Sequence, residues 1–110
     1  MKKQTRKIWL CGHEITVIIQ DDQPQLNGQD CNGVTYCCER KIIISRKSKD
    51  LFATILHELF EYVSWHNGCC MRSYNSDHRK DVYMFSHGEM SDTFVEVAGG
   101  FQQIVEWMKI

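Results

Sequence analysis

The run His57-Glu58-Leu59-Phe60-Glu61 packs three groups able to hold a metal ion or move a proton into five consecutive residues. On a helix, residues four apart stand one above the other, so His57 and Glu61 present an imidazole and a carboxylate to the same point. That pair is a two-ligand clip for a divalent metal. A carboxylate oxygen binds Zn²⁺ at about the same distance as an imidazole nitrogen, roughly 2.0–2.2 Å. Glu58, one step round the helix, stands where a carboxylate can take the proton of a zinc-activated water. A histidine as third ligand would complete a set of two histidines and one glutamate. His87 is the best candidate, because Ser86-His87-Gly88-Glu89 fits the S-x-x-E capping box and puts His87 in the first turn of a second helix. A helix N-terminus disfavours the imidazolium and suits a neutral ligand. Glu89, Asp92, His78 and Glu96 are the reserves. A fourth position left to water would make such a site catalytic rather than structural. A plainer reading competes. On a helical wheel His57 and Glu61 lie nearly opposite the stripe through Phe52, Leu56 and Leu59, which equally suits a solvated ion pair and a surface Glu58.

The elements that must position these residues are legible from pattern. Lys7 to Leu10 and Glu14 to Gln20 read as a β-hairpin around Cys11-Gly12-His13, with Ile15, Val17 and Ile19 on one face. Asp21 to Gly33 holds the only proline and two Asn-Gly pairs, which predicts a loop or a tight turn beside a cleft. Val34 to Cys38 and Lys41 to Ser45 read as a second strand pair around Glu39-Arg40. Ser48 or Asp50 can cap a helix running to about His66, stopped by Asn67-Gly68, with Phe52, Ile55, Leu56, Leu59 and Val63 as its apolar stripe. Cys69 to Lys80 is polar and aperiodic, hence a loop. The second helix carries Phe94, Val97, Ala98, Phe101, Ile104, Val105 and Met108, and its Gly99-Gly100 predicts close contact with a neighbour. The expected fold is α+β: one domain over residues 1–110, with a small antiparallel sheet of three or four strands packed against the motif helix and a C-terminal helix.

Bulk properties narrow the setting. A chain of 110 residues holds one core, and 13 basic against 14 acidic residues create no global field towards nucleic acid or an anionic membrane. No apolar run approaches the roughly 20 residues of a membrane span, and the positive N-terminus lacks the apolar stretch of a signal peptide. The expected location is the cytoplasm, with the six cysteines mostly reduced. Cys37 and Cys38 read as small core residues on opposite faces of a strand. His13 and His66 read as structural, and Trp9, Trp65 and Trp107 as core. The basic residues Arg40-Lys41 and Arg46-Lys47-Ser48-Lys49 read as solvated strand ends rather than a phosphate site.

Asn32-Gly33-Val34-Thr35-Tyr36, Arg40-Lys41-Ile42-Ile43-Ile44 and Thr54-Ile55-Leu56-His57-Glu58-Leu59-Phe60-Glu61 resemble the small zincin-like metallopeptidases of bacteriophages and prophages. Members of that group carry either HExxH with a later acidic residue or HExxE with a later histidine, at the place of His87 here. Ala98-Gly99-Gly100-Phe101-Gln102-Gln103-Ile104-Val105 is similar to that group's helix. The likeness spans about residues 28–106, while the stretch from Asn67 to Phe85 is longer and richer in cysteine. It implies a zincin-like fold and a zinc-dependent hydrolase acting on a peptide or protein, with His57, Glu61 and His87 as ligands and Glu58 as general base. The rival expectation is a non-catalytic protein, metal-stabilised or metal-free, that binds a host factor. Nucleic-acid binding through Arg46 to Lys49 ranks last.

Overall fold

Two hairpins laid side by side build the sheet. The structure, a computed structural model, describes residues 3–68, 70–72, 81–83 and 86–108, of which 70–72 and 81–83 are described through the backbone alone. Strands β1 (Lys3–Leu10) and β2 (His13–Gln20) pair antiparallel across Cys11-Gly12. Both turn residues have positive φ, 54° and 75°, the mirror-image turn whose twist matches that of the strands it joins. Asn27-Gly28 repeats the device, at 54° and 79°, between the short strands β3 (Gln25–Leu26) and β4 (Gln29–Asp30). The second Asn-Gly does not turn, since Gly33 opens strand β5 (Gly33–Tyr36). β5 pairs antiparallel with β6 (Lys41–Ser45) through residues 37–40, so Cys37 and Cys38 sit in a turn rather than a strand. Cys37 is half-buried against the core and Cys38 is exposed.

The sheet order is β1-β2-β6-β5, and β2 runs parallel to β6. The expected antiparallel sheet is therefore a mixed one, with a parallel pairing at its centre. Residues 21–32 carry the chain over one strand position before β5 begins, and β6 returns through the gap in the direction of β2. The register then lines up two cross-strand rows, Val17–Ile42–Thr35 and Ile19–Ile44–Gly33. Val17, Ile19, Ile42 and Ile44 are buried in the core cluster, and both rows end on β5.

Helix α1 (Leu51–His66) covers this face. Asp50 caps it by accepting the Ala53 N–H at 3.0 Å, and Gly68 ends it at φ 71°. Its buried residues are Ile55, Glu58, Leu59, Tyr62, Val63 and Ser64, so the buried stripe is rotated from the expected one. Phe52 and Leu56 are 42% and 40% exposed. Two very short strands, β7 (Cys70–Arg72) and β8 (Asp81–Tyr83), pair antiparallel, and β7 falls within the stretch from Cys69 to Lys80 expected as a loop. Helix α2 (His87–Met108) starts with the capping box intact: the Ser86 N–H donates to Glu89 at 3.0 Å, and the Glu89 N–H donates to Ser86 Oγ at 3.2 Å. Gln103 both accepts from the Trp9 N–H and donates to the Trp9 carbonyl, each at 2.8 Å, so α2 closes the β1 edge. Trp9 and Trp65 are exposed and Trp107 is half-buried against the core. Among the described residues no helix is long and apolar enough to cross a membrane.

The two adjacent glycines of α2 differ in surroundings. A Cβ at Gly100 would stand 3.0 Å from Leu10 Cδ1 and 3.1 Å from Leu59 Cδ2, whereas one at Gly99 meets nothing within 4 Å. Gly99→Ala should therefore raise stability by ~0.5–1 kcal/mol through helix propensity, and Gly100→Leu should lower it by ~1–3 kcal/mol through overpacking. Urea unfolding of both variants checks this, and equal effects would contradict the close approach at Gly100.

Candidate metal centre

The helical period that buries Ile55, Leu59 and Tyr62 also carries Glu58 inward, because position 58 falls between 55 and 62 on the same face. Glu58 is 3% exposed, whereas the side chain of His57 is 65% exposed and that of Glu61 is half-buried. On the sheet side Glu58 meets β5. Gly33 and Thr35, two apart, share the face turned to α1. The Thr35 hydroxyl donates to Glu58 Oε1 at 2.9 Å and lies 3.2 Å from the Glu58 carbonyl oxygen. Gly33 leaves the room that the side chain fills, since a Cβ there would stand 2.9 Å from Glu58 Cγ and 3.0 Å from Thr54 Cγ2.

His57, Glu58 and Glu61 each turn one ligand atom to a common point, all within 4.8 Å of one another. His57 Nε2 stands 3.0 Å from Glu61 Oε1 and 3.8 Å from Glu58 Oε2. Two ligand atoms bound tetrahedrally to one zinc at ~2.0–2.1 Å are about 3.3 Å apart, so these separations bracket what zinc needs. The same residues fit other divalent ions that accept nitrogen and oxygen ligands. Without an ion, the His57–Glu61 pair is an i,i+4 contact on an open helix face, worth about 0.3–0.5 kcal/mol. That small gain does not account for burying Glu58 beside it, and among the described residues no lysine or arginine pairs with Glu58. Burial first, and then the Glu61 carboxylate, push the Glu58 carboxyl up to about 7, against the opposing pull of the Thr35 hydrogen bond and of His57. A carboxyl in that range accepts and returns a proton near neutral pH.

A cleft of about 730 Å³ opens from Glu58, His57 and Gly33 along the start of α1 to Lys47 and Lys49. His57 and Glu58 thus face a hollow able to hold a small molecule or a few residues of chain.

His87 stands apart from this group. It is exposed in the first turn of α2. Phe52 meets Phe101 edge-on at 5.7 Å, while His66 and Asn67 share a hollow with Glu89 and Asp92, so the helices run in opposite directions. The start of α2 lies at the His66 end of α1, roughly 14 Å along the axis from His57 at 1.5 Å per residue. Of the reserves, Glu89, Asp92 and Glu96 line that second hollow, and His78 lies outside the described residues. Cys11 lines it too, and burial together with the Glu96 carboxylate pushes its thiol up to about 11. His13 and His66 contact each other edge-on at 5.4 Å, a packing role.

Sequence reading misses Gly33 and Thr35 as site residues. The available signal was their i,i+2 spacing on a strand next to the motif helix, with a hydroxyl and an absent side chain on one face. Comparison with family models, curated proteins and solved structures finds no match to this chain.

The raised Glu58 pKa sets a pH dependence. An unfolded glutamate titrates near 4.3. Between there and about 7 the folded chain holds a proton that the unfolded chain has released, so the contribution of Glu58 is fully present below ~4.3 and is lost as pH rises through about 7. Metal-free protein should lose on the order of 2–3 kcal/mol from this group between pH 4.5 and 8. The check is urea unfolding across that range beside Glu58→Gln, which should lack this component; an identical profile in both proteins would contradict the burial.

Proposed function

We propose that this chain is a zinc-dependent hydrolase, a peptidase of phage or prophage type, in which His57 and Glu61 hold the ion and Glu58 is the general base. The observation that carries the proposal is the placement of Glu58: a buried carboxyl with a pKa near neutral, beside a His–Glu clip, at the mouth of a cleft. Zinc, when bound, supplies Lewis acidity that lowers the pKa of a coordinated water towards about 7 and polarises a carbonyl. Glu58 Oε2, on the side of His57, would accept a proton from the attacking water as its oxygen bonds the scissile carbonyl carbon. Thr35 fixes the other carboxylate oxygen, so the base keeps its orientation while its charge changes. Glu58 would return that proton to the nitrogen as the carbon–nitrogen bond breaks, leaving a carboxylic acid and an amine. β5 is an edge strand of the sheet next to this carboxylate, and a strand edge suits an extended peptide better than a compact substrate. The thiols of Cys11, Cys31 and Cys38, outside any disulfide, suit a cytoplasmic protein.

Two residues compete for the third ligand position. Glu58 already stands beside the pair, and His87 reaches it only if the start of α2 moves to the His57 end of α1. The proximity of Glu58 favours a second reading, in which His57, Glu58 and Glu61 hold a structural ion in a non-catalytic protein that binds a host factor.

Zinc-loaded wild type and Glu58→Gln, assayed on a panel of fluorogenic peptides, separate the readings. The hydrolase reading expects turnover in wild type and a loss of at least about 100-fold in Glu58→Gln with zinc retained. Zinc lost from Glu58→Gln but kept in His87→Ala, with no turnover in wild type, establishes the structural ion instead.

A further inference from the structure

We propose that the cleft beside Glu58 takes an extended acidic peptide segment, one of whose carboxylates is held by Lys47 and Lys49 about three residues from the His57–Glu61 clip. The proposal rests on the reading of that clip as the reacting end. The cleft is lined mainly by polar and charged residues, and Ala53 contributes the one purely hydrocarbon side chain of its lining. Its walls are polar pairs, with Gln23 Nε2 donating to Asn32 Oδ1 at 3.2 Å and the Ser48 and Thr54 hydroxyls 2.6 Å apart. An occupant must therefore be held by hydrogen bonds and charge.

The charge at the far end is positive and available. Lys7, Lys41 and Arg46 each have a carboxylate partner, at 2.9, 3.4 and 3.1 Å. The exposed ammonium groups of Lys47 and Lys49 have none among the described residues. Asp50 also lines the cleft, but its carboxylate is engaged in capping α1 through the Ala53 N–H. Lys47 and Lys49, two residues apart in the chain and both lining the cleft, can act on one anion jointly. Distance then sets the ligand. From Asp50 to His57 is seven residues of helix, roughly 10 Å at 1.5 Å per residue, which an extended peptide covers in about three residues at ~3.3 Å each. A single phosphate or free carboxylate fills only part of that span, whereas an acidic segment covers it.

The test is ¹H–¹⁵N correlation spectroscopy of the whole chain, metal-free and with zinc, titrated with N-acetylated, C-amidated tri-glutamate, tri-glutamine or a thymidine tetranucleotide. Tri-glutamate should shift the amides of residues 47–54 and Gly33 at about one-tenth the concentration that tri-glutamine requires. Lys47→Ala combined with Lys49→Ala should weaken tri-glutamate about 5- to 10-fold, and 0.5 M NaCl should do the same. Equal response to the two peptides, an unchanged response in the double variant, or tighter binding of the oligonucleotide at these residues overturns the proposal. Zinc is read separately at the amides of residues 57–61. Selective tri-glutamate binding without a zinc response there upholds the acidic subsite and removes the hydrolase reading.

Discussion

Glu58 lies between helix α1 and strand β5, and the placement of the candidate site follows from how that carboxylate is accommodated. Its side chain needs the missing Cβ of Gly33, and one of its oxygens needs the Thr35 hydroxyl. Both come from a four-residue edge strand, whose position is set by the parallel pairing of β2 with β6. The cross-strand rows that bury Val17, Ile19, Ile42 and Ile44 end on Thr35 and Gly33, so the register that builds the core also delivers the two residues that receive Glu58. A one-residue slip of β5 would turn both away from the helix.

The cost of this arrangement is electrostatic. A carboxyl taken out of water next to another carboxylate destabilises its own ionised form, and one hydroxyl with one histidine offsets only part of that. A divalent cation beside His57, Glu58 and Glu61 would reverse the balance, because it favours the two carboxylate charges that oppose each other. The opposite edge of the sheet is treated differently: Gln103 and Glu96 of α2 bond to the backbone of Trp9 and Cys11, occupying β1 where an extended chain could otherwise add. The two edges are differentiated, and β5 is the one beside the triad.

Much of this is legible in the residues. The turns at Cys11-Gly12 and Asn27-Gly28, both helix starts and the stop at Asn67-Gly68 follow from local chemistry, since a cap or a mirror-image turn depends on a few neighbouring atoms. Strand direction does not. Nothing between Asp21 and Asn32 states that the chain steps over one strand position, so the parallel centre of the sheet is invisible in pattern. The rotation of α1 is similarly hidden: Phe52 and Leu56 look like core and are about two-fifths exposed, while Glu58 looks like surface and is buried. The helix turns this way because Gly33 offers a gap and Thr35 a donor, both long-range facts. The motif identified His57, Glu58 and Glu61 through i,i+4 geometry. The expectation for His87 required the direction of α2 relative to α1, which residue types do not encode.

On this reading His57 and Glu61, with Glu58 beside them as the base, form a metal site rather than a surface ion pair over a buried acid. Zinc content by elemental analysis of untagged protein, beside His57→Ala and Glu61→Ala, tests it most directly. The account predicts close to one zinc per chain in wild type and loss of most of it in each variant. No zinc in wild type even after dialysis against the ion, or zinc retained undiminished in both variants, would contradict it.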